Sequence, residues 1–308
     1  MTTCLVFGGG GFIGSHLTEG LVKSGYDVKV FDNFQSGFTN LNTIIDKVEI
    51  IKGDFFNETD IDNALKNVDF VFHYISTTNP ATAIENPIFD IESNIIGSVK
   101  LFQYAVKNDV AKIIYPSSGG TIYGTTTVRP MKETDPLDPT NPYAISKLTI
   151  EKYLHHFYQM YGMDYTILRY SNPYGERQNP LGKQGVIPIF LNKIKHGEKP
   201  MIYGDGSMVR DYIYIKDAID ATLAIFKKNA PEKVFNVGSG YGTSLNEIIE
   251  IMSDVVGQKI LPDHIENSGT YLPKIVLDIS RIEKNTGWKP TTELSEGIKN
   301  TWEWIKGL

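Results

Sequence analysis

The chain has 308 residues, 41% of them apolar, and a net charge of −6 from 30 Lys and Arg against 36 Asp and Glu. That composition supports a sizeable core and excludes extended disorder, and the acidity argues against a nucleic-acid binder, which needs a basic face. One cysteine, Cys4, excludes an internal disulfide and fits a reducing compartment.

The chain starts directly into CLVFGGGG, with no basic segment leading to an apolar run and cleavage site. No window approaches the ~20 apolar residues of a membrane span. The expectation is a cytoplasmic protein without membrane or nucleic-acid partners. TCLVFG (2–8) reads as a first strand, followed by a helix with Ile13, Leu17, Leu21 and Val22 on one face and Gly25 as its stop. DVKVFD (27–32) and VEIIKGD (48–54) are the next strands, and Thr59 reads as the cap of a short helix. DFVFHYIS (69–76) is a continuous apolar run, the pattern of a strand buried on both faces. Residues 89–108 read as helical, KIIYPSS (112–118) as a strand, 143–161 as a helix and DYTILRYSN (164–172) as a strand.

This alternation predicts an α/β fold with a Rossmann-type, doubly wound parallel sheet. Beyond about residue 175, Pro and Gly break the rhythm into shorter elements. VFNVGSG (234–240) reads as one further buried strand. The tail carries Ile298, Trp302 and Ile305 on one side of a helix. The expected domains are 1–174, with a return segment near 209–240, and a smaller C-terminal substrate lobe at 175–308.

GGGGFIGS (8–15) stands between the first strand and the first helix, with Gly8, Gly11 and Gly14 three apart. A dinucleotide loop needs glycine for a tight turn, for close approach to a diphosphate and for helix-to-strand packing. The helix N-terminus then faces the negative charge. Asp32 ends the second strand about twenty residues on, where a carboxylate accepts ribose hydroxyls and repels a 2′-phosphate. No arginine follows in DNFQSG, so NAD is expected rather than NADP. Asp54, ending the third strand, reads either as an adenine contact or as a turn former after Gly53.

PYAISK (142–147) opens a helix on which Tyr143 and Lys147 share a face. Phenol is a poor base at neutral pH. A nearby ammonium and a cationic nicotinamide would favour the phenolate, and lowering its pKa by about three units takes roughly 4 kcal/mol. SSGGTIYG (117–124) places hydroxyls at the carboxyl end of a strand, where α/β sheets bind ligands.

Taken together, GGGGFIGSH, the strand-end Asp32, GDFF, the SS…IYG loop, PYAISK, LRYSNPYGERQNP, YGDGSMVRDYIYIKD, FNVGSG and NTGWKP resemble the extended short-chain dehydrogenase/reductase family. The similarity runs over nearly the whole chain, and within that family it is closest to the NAD-dependent nucleotide-sugar epimerases of the UDP-glucose 4-epimerase type. The resemblance implies an isomerase acting on a nucleotide-diphosphate sugar of the UDP-glucose/UDP-galactose type, N-acetylated or not. It implies catalytic roles for Tyr143, Lys147 and a hydroxyl before them. Counted forward from the strand that hydroxyl is Ser118; counted back from Tyr123 and Gly124 the position falls on Gly119. Ser118 is preferred, with Thr121 as its substitute on the substrate and Ser117 lining the nicotinamide.

The resemblance further implies cofactor contacts from Phe12, Ile13, Asn33, Phe55, Tyr74, Asn94 and Tyr170, besides the glycines, Asp32, Asp54 and the Tyr–Lys pair. Substrate contacts are implied for Asn172, Val186, Tyr203 and Arg210. Thr78 stands where some epimerases place a lysine on the cofactor, and NSGTYLPKIVLD, near 268–278, lacks an arginine that many relatives present to the second phosphate. The helices near 89–108 and 143–161 are implied to pair a homodimer, with Tyr153, Phe157 and Tyr161 packing against the partner. Glycines at 119 and 120 count against a 4,6-dehydratase. A 4-ketoreductase, and a catalytically silent nucleotide sensor, are also compatible with these residues. The six histidines show no metal spacing, and no metal is expected. His73 reads as a core residue, and Glu133, Asp135 and Asp138 as solvated loop acids.

Overall fold

Seven strands form one sheet in the computed structural model, which describes residues 2–124, 129–266 and 273–308. The chain divides into two compact units. The first comprises Met1–Ile122, Pro139–Arg169 and Asn229–Phe235, the second Tyr123–Asp138, Tyr170–Lys228 and Asn236–Leu308.

The first unit runs Thr3–Phe7 (β1), Phe12–Lys23 (α1), Asp27–Asp32 (β2), Glu49–Lys52 (β3), Glu58–Ala64 (α2), Phe70–His73 (β4), Pro80–Glu85 (α3) and Pro87–Asp90 (α4). A π-helical turn, Ile91–Ile96, leads into Gly97–Lys107 (α5), Lys112–Ser118 (β5), Pro142–Tyr161 (α6) and Asp164–Tyr170 (β6). The sheet order is β3-β2-β1-β4-β5-β6, with Val234–Val237, the tenth strand of the chain (β10), beside β6. Pairs from β3 across to β5 are parallel. The order reverses direction between β1 and β4, and ligands of open α/β sheets sit at the carboxyl ends of the strands at such a point.

The apolar runs read as buried strands are buried: Cys4 to Phe7, Val71, Phe72, Ile113 and Tyr115 have almost no exposed surface. Against this sheet α5 sets Leu101, Phe102 and Ala105, and α6 sets Ile150, Leu154 and Phe157. Each large side chain so buried contributes about 1.5–3 kcal/mol. Three expectations change here. Phe157 packs on Phe102 at 5.6 Å in the chain's own core, not on a partner. The cap of α2 is Asn57, whose side-chain oxygen accepts the Thr59 amide at 2.9 Å. The helix expected over 89–108 is interrupted by the π turn; the hydroxyls of Ser93 on that turn and Ser98 just after it bond carbonyls four residues back. Such bonds loosen and bend a helix.

The second unit contains Asn172–Tyr174 (β7), Val186–Lys195 (α7), Met201–Tyr203 (β8), Val209–Tyr214 (β9), Ile215–Lys228 (α8), Gly242–Ser244 (β11), Leu245–Val256 (α9), Asp263–Ile265 (β12), Lys274–Ile275 (β13), Ser280–Thr286 (α10) and Leu294–Lys306 (α11). β9 is flanked by β11, β13 and β7, and β8 pairs with β12. The fully buried Asp211 carboxylate accepts the amides of Ser239, Gly240 and Leu277 and the Ser239 hydroxyl. Glu133 is not solvated as expected: its side chain is buried, accepts the Asn236 amide at 2.9 Å and faces Arg281 at 3.5 Å. No helix among the described residues is long and apolar enough to cross a membrane.

Candidate functional site

The turn after β1 is built from backbone at van der Waals limit. Gly8 has φ +78°, and a Cβ there would lie 2.9 Å from the Tyr74 carbonyl carbon and the Ile75 nitrogen at the end of β4. A Cβ on Gly14 would lie 2.1 Å from the Gly8 carbonyl oxygen. Gly11 is looser, with 3.3 Å to that same oxygen, and no side chain caps the helix it opens. The Asp32 carboxylate accepts the Gly10 amide at 3.0 Å and the Phe34 amide at 2.9 Å, which ties the tip of β2 to the glycine turn. Asn40, which no sequence signal marked, donates to the Gly10 carbonyl at 3.0 Å.

Asn33 is exposed and accepts the Gln35 amide. Asp54 accepts the Phe56 amide at 2.9 Å, the turn-forming role. Asn33, Lys52, Asp54 and Phe56 line one open pocket of about 620 Å³. Phe55 is 6% exposed, and its ring packs on Phe7 and His73.

The Tyr–Lys pair sits in the same unit. Asn141 caps α6 by accepting the Ala144 amide at 3.0 Å, and Pro142 occupies the first turn, where its missing N–H costs nothing. Lys147 is buried, donates to the Pro116 carbonyl at 3.1 Å and lies over the rings of Tyr115 at 4.9 Å and Tyr143 at 5.6 Å. Burial pulls the Lys147 ammonium down to about 8, against the opposing pull of Asp90 and Glu151. Burial pushes the Tyr143 phenol up to about 12, and the Asp90 charge adds to it. The chain's own residues therefore do not lower Tyr143: burial and the Asp90 charge both push the phenol up.

At the end of β5, Ser117 is buried with no partner for its hydroxyl among the described residues. Thr121 donates to Ser118 at 2.9 Å, so the two candidate substrate hydroxyls form one coupled pair. The Tyr115 phenol is likewise buried without a partner among the described residues.

The profile of the NAD dependent epimerase/dehydratase family matches residues 4–238. The chain belongs to this family. It is 38% identical to a putative UDP-glucose 4-epimerase of Methanocaldococcus jannaschii over 306 residues, 98% of either chain. Among solved structures it is similar to the UDP-glucose 4-epimerase of Thermotoga maritima with UDP-glucose, at 36% identity, TM-score 0.93 and 99% coverage of both chains. It is also similar to the UDP-N-acetylglucosamine 4-epimerase of Methanobrevibacter ruminantium in complex with UDP-N-acetylmuramic acid, at 33% identity, TM-score 0.92 and coverage of 99% and 98%.

The family's NAD dependence agrees with the first unit. Gly8 and Gly14 leave no room for a Cβ, the first-turn amides of Phe12, Ile13 and Gly14 follow a helix start without a side-chain cap, and Asp32 stands at the neighbouring strand end. Ser117 presents a buried hydroxyl in need of a partner.

Other implied residues divide by unit. In the first, Tyr74 follows β4 and donates its amide to the Phe7 carbonyl. Asn94, on the π turn, has both amide hydrogens used: its nitrogen donates to Thr78 and Asp90, and its oxygen accepts the Thr77 amide. Thr78, in place of the relatives' lysine, also donates to Asp90.

In the second unit, Tyr170 is buried, its hydroxyl bonded to Thr222. Asn172 donates to the Asp211 carbonyl at 2.9 Å, Val186 opens α7 and Tyr203 is 58% exposed on β8. Arg210 is half-buried, donates to the Val209 carbonyl and the Met208 sulfur, and meets no carboxylate among the described residues. Its burial lowers its pKa, against an opposing pull from Tyr212. Of the arginine-free stretch near 268–278, residues 267–272 lie outside the described residues.

Proposed function

We propose that the protein is an NAD-dependent 4-epimerase of a nucleotide-diphosphate sugar, of the UDP-glucose/UDP-galactose type. The observation that supports this most is the convergence on one unit of the glycine turn, the coupled Ser118–Thr121 hydroxyls and the Tyr143–Lys147 pair on α6. Bound NAD supplies reversible exchange of a hydride with the sugar carbon. Gly8, Gly11 and the first-turn amides hold the diphosphate, and Asp32 accepts the adenosine ribose hydroxyls. Lys147 holds the second ribose. Ser118, with Thr121 behind it, orients the sugar 4′-hydroxyl, and Tyr143 takes its proton on the phenol oxygen and returns it. Arg210 offers forked donors to the substrate phosphates, with Asn172 on the paired strand β7. Gly119 and Gly120 provide no acid next to Ser118, which favours epimerisation over dehydration.

The test is proton NMR of the anomeric region after adding UDP-glucose, and separately UDP-N-acetylglucosamine, to the purified protein. Interconversion with the 4-epimer is expected. Tyr143→Phe should cut turnover by ~10²–10⁴ with NAD still bound. No interconversion by the wild type, or near-normal turnover by Tyr143→Phe, would overturn the reading. We further propose a homodimer formed through α5 and α6, supported by the exposed Ile145, Tyr153, Met160 and Tyr161 of α6; a single monomeric species in sedimentation would exclude it. The single buried thiol supports placing it in the cytoplasm.

A further inference from the structure

Asp90 is a charged residue with no exposed surface, and the family resemblance gives it no role in binding. It ends α4, and both its oxygens accept hydrogen bonds. Ser146 of α6 donates to one oxygen, and Thr78 and Asn94 donate to the other. Asn94 also donates to Thr78 at 2.9 Å and accepts the Thr77 amide at 3.1 Å. The carboxylate therefore ties three segments of the first unit together: the loop after β4, the π turn and the first turns of α6. Ser146 lies between Tyr143 and Lys147 in sequence, so its hydroxyl fixes the turn that carries both.

We propose that Asp90 is a positioning residue for the Tyr143–Lys147 pair: its carboxylate clamps their helical turn through Ser146 and brings a buried acid to the turn that carries Lys147. The inference rests on the proposed roles of that pair. Two acids raise the Lys147 ammonium against its burial, Asp90 more strongly than Glu151. Glu151, one turn further along α6, is held by Arg169 of β6 through two bonds of 3.1 and 2.7 Å. Tyr115 of β5 and Tyr143 are neutral phenols near neutral pH, both raised by burial. His73 of β4 is neutral, pushed down to about 3 by burial and by Lys147 itself. Ser98 and Ser117 carry no charge. An opposite charge nearby raises an amine's pKa, typically by 1–3 units.

The test compares Asp90→Asn with Ser146→Ala. Asp90→Asn keeps the shape and removes the charge; Ser146→Ala keeps the charge and removes the clamp. Lys147 is titrated directly by NMR of the lysine ¹³Cε signal, assigned with Lys147→Arg, and turnover is followed against pH. For Asp90→Asn the Lys147 midpoint and the alkaline limb of kcat should fall together by about one pH unit. A fall from about 8 to about 7 makes the loss of turnover roughly fivefold greater at pH 8 than at pH 6. Ser146→Ala should lower kcat at every pH, by about tenfold, with the Lys147 midpoint unmoved.

An unchanged midpoint in Asp90→Asn refutes the electrostatic role, and wild-type turnover in Ser146→Ala refutes the clamp. If Asp90→Asn does not fold, Ser146→Ala decides. If the midpoint shifts but no variant, wild type included, has activity, the assignment of Asp90 stands and the proposed reaction fails.

Discussion

Gly11 and Gly14 belong to one motif, yet the structure assigns them different reasons for being glycine. Alanine at 14 would place a Cβ 2.1 Å from the Gly8 carbonyl oxygen and 2.8 Å from its carbon. Both are backbone atoms, so no side-chain rotation relieves the clash, and helix and strand must part by about 1 Å to reach ordinary contact. Overpacking of this kind costs about 1–3 kcal/mol or more, against about 1 kcal/mol gained from alanine's helix propensity. A net loss of about 2 kcal/mol corresponds to a melting point lower by about 3 °C in a chain of 308 residues.

Alanine at 11 meets only the Gly8 oxygen at 3.3 Å, at φ −75°, which any residue adopts. Its melting point should stay within about 1 °C of wild type. Its penalty should instead appear in NAD affinity, reduced more than about tenfold, because the missing Cβ is what lets a diphosphate approach the backbone. Thermal melts of the NAD-free proteins and calorimetric titration with NAD separate the two effects. If Gly11→Ala and Gly14→Ala lose the same melting temperature, or if Gly11→Ala binds NAD as wild type does, the division of labour argued from these contacts is wrong.

Lys147, lowered to about 8 from 10.5, binds fewer protons folded than unfolded, so its contribution to stability rises with pH between about 8 and 10.5. Urea unfolding of wild type and Lys147→Met across that window should converge by up to about 3 kcal/mol in the wild type's favour as pH rises. Arg169→Met leaves the Glu151 carboxylate buried without its partner, both side chains being 4% exposed, and should cost about 3–5 kcal/mol in the same assay. The double variant Arg169→Met/Glu151→Leu should recover most of that loss. Arg210→Met should raise the KM for the sugar nucleotide more than about tenfold while leaving the NAD content of the purified protein unchanged.

What is legible in the sequence is what short spacing encodes. The glycine turn, Asp32 at a strand end and Tyr143 four residues before Lys147 each follow from one loop or one helix face, and the strands announce themselves as apolar runs. What is not legible depends on distant partners. Asp90 meets Ser146 across 56 positions, and Glu133 meets Asn236 across 103. Nothing within a helical window distinguishes such acids from solvated ones. Phe157 departs from expectation because a helix of twenty residues can bury two faces, and periodicity does not say which neighbour covers each. Asn57 and Thr59 are both good caps, and only the backbone geometry at Asn57 decides between them.

The ionisation of the Tyr–Lys pair shows how the fold constrains the chemistry. Free in water the two groups titrate within a unit of each other, so a proton passes between them at little cost. Burial drives them apart, Tyr143 up to about 12 and Lys147 down to about 8. Charge separation within the pair then costs roughly 5 kcal/mol at 1.4 kcal/mol per unit. Lys147 alone therefore cannot make Tyr143 a base at neutral pH, and the phenol is held protonated by the chain that surrounds it. Asp90 deepens this state, since its charge favours the ammonium and opposes the phenolate alike. If Tyr143 is the proposed base, positive charge from a bound ligand would be what ionises it, which would confine proton removal to the loaded site. In the proposed reaction, the same carboxylate that opposes the Tyr143 phenolate would serve by supporting the Lys147 ammonium and holding its helical turn in place.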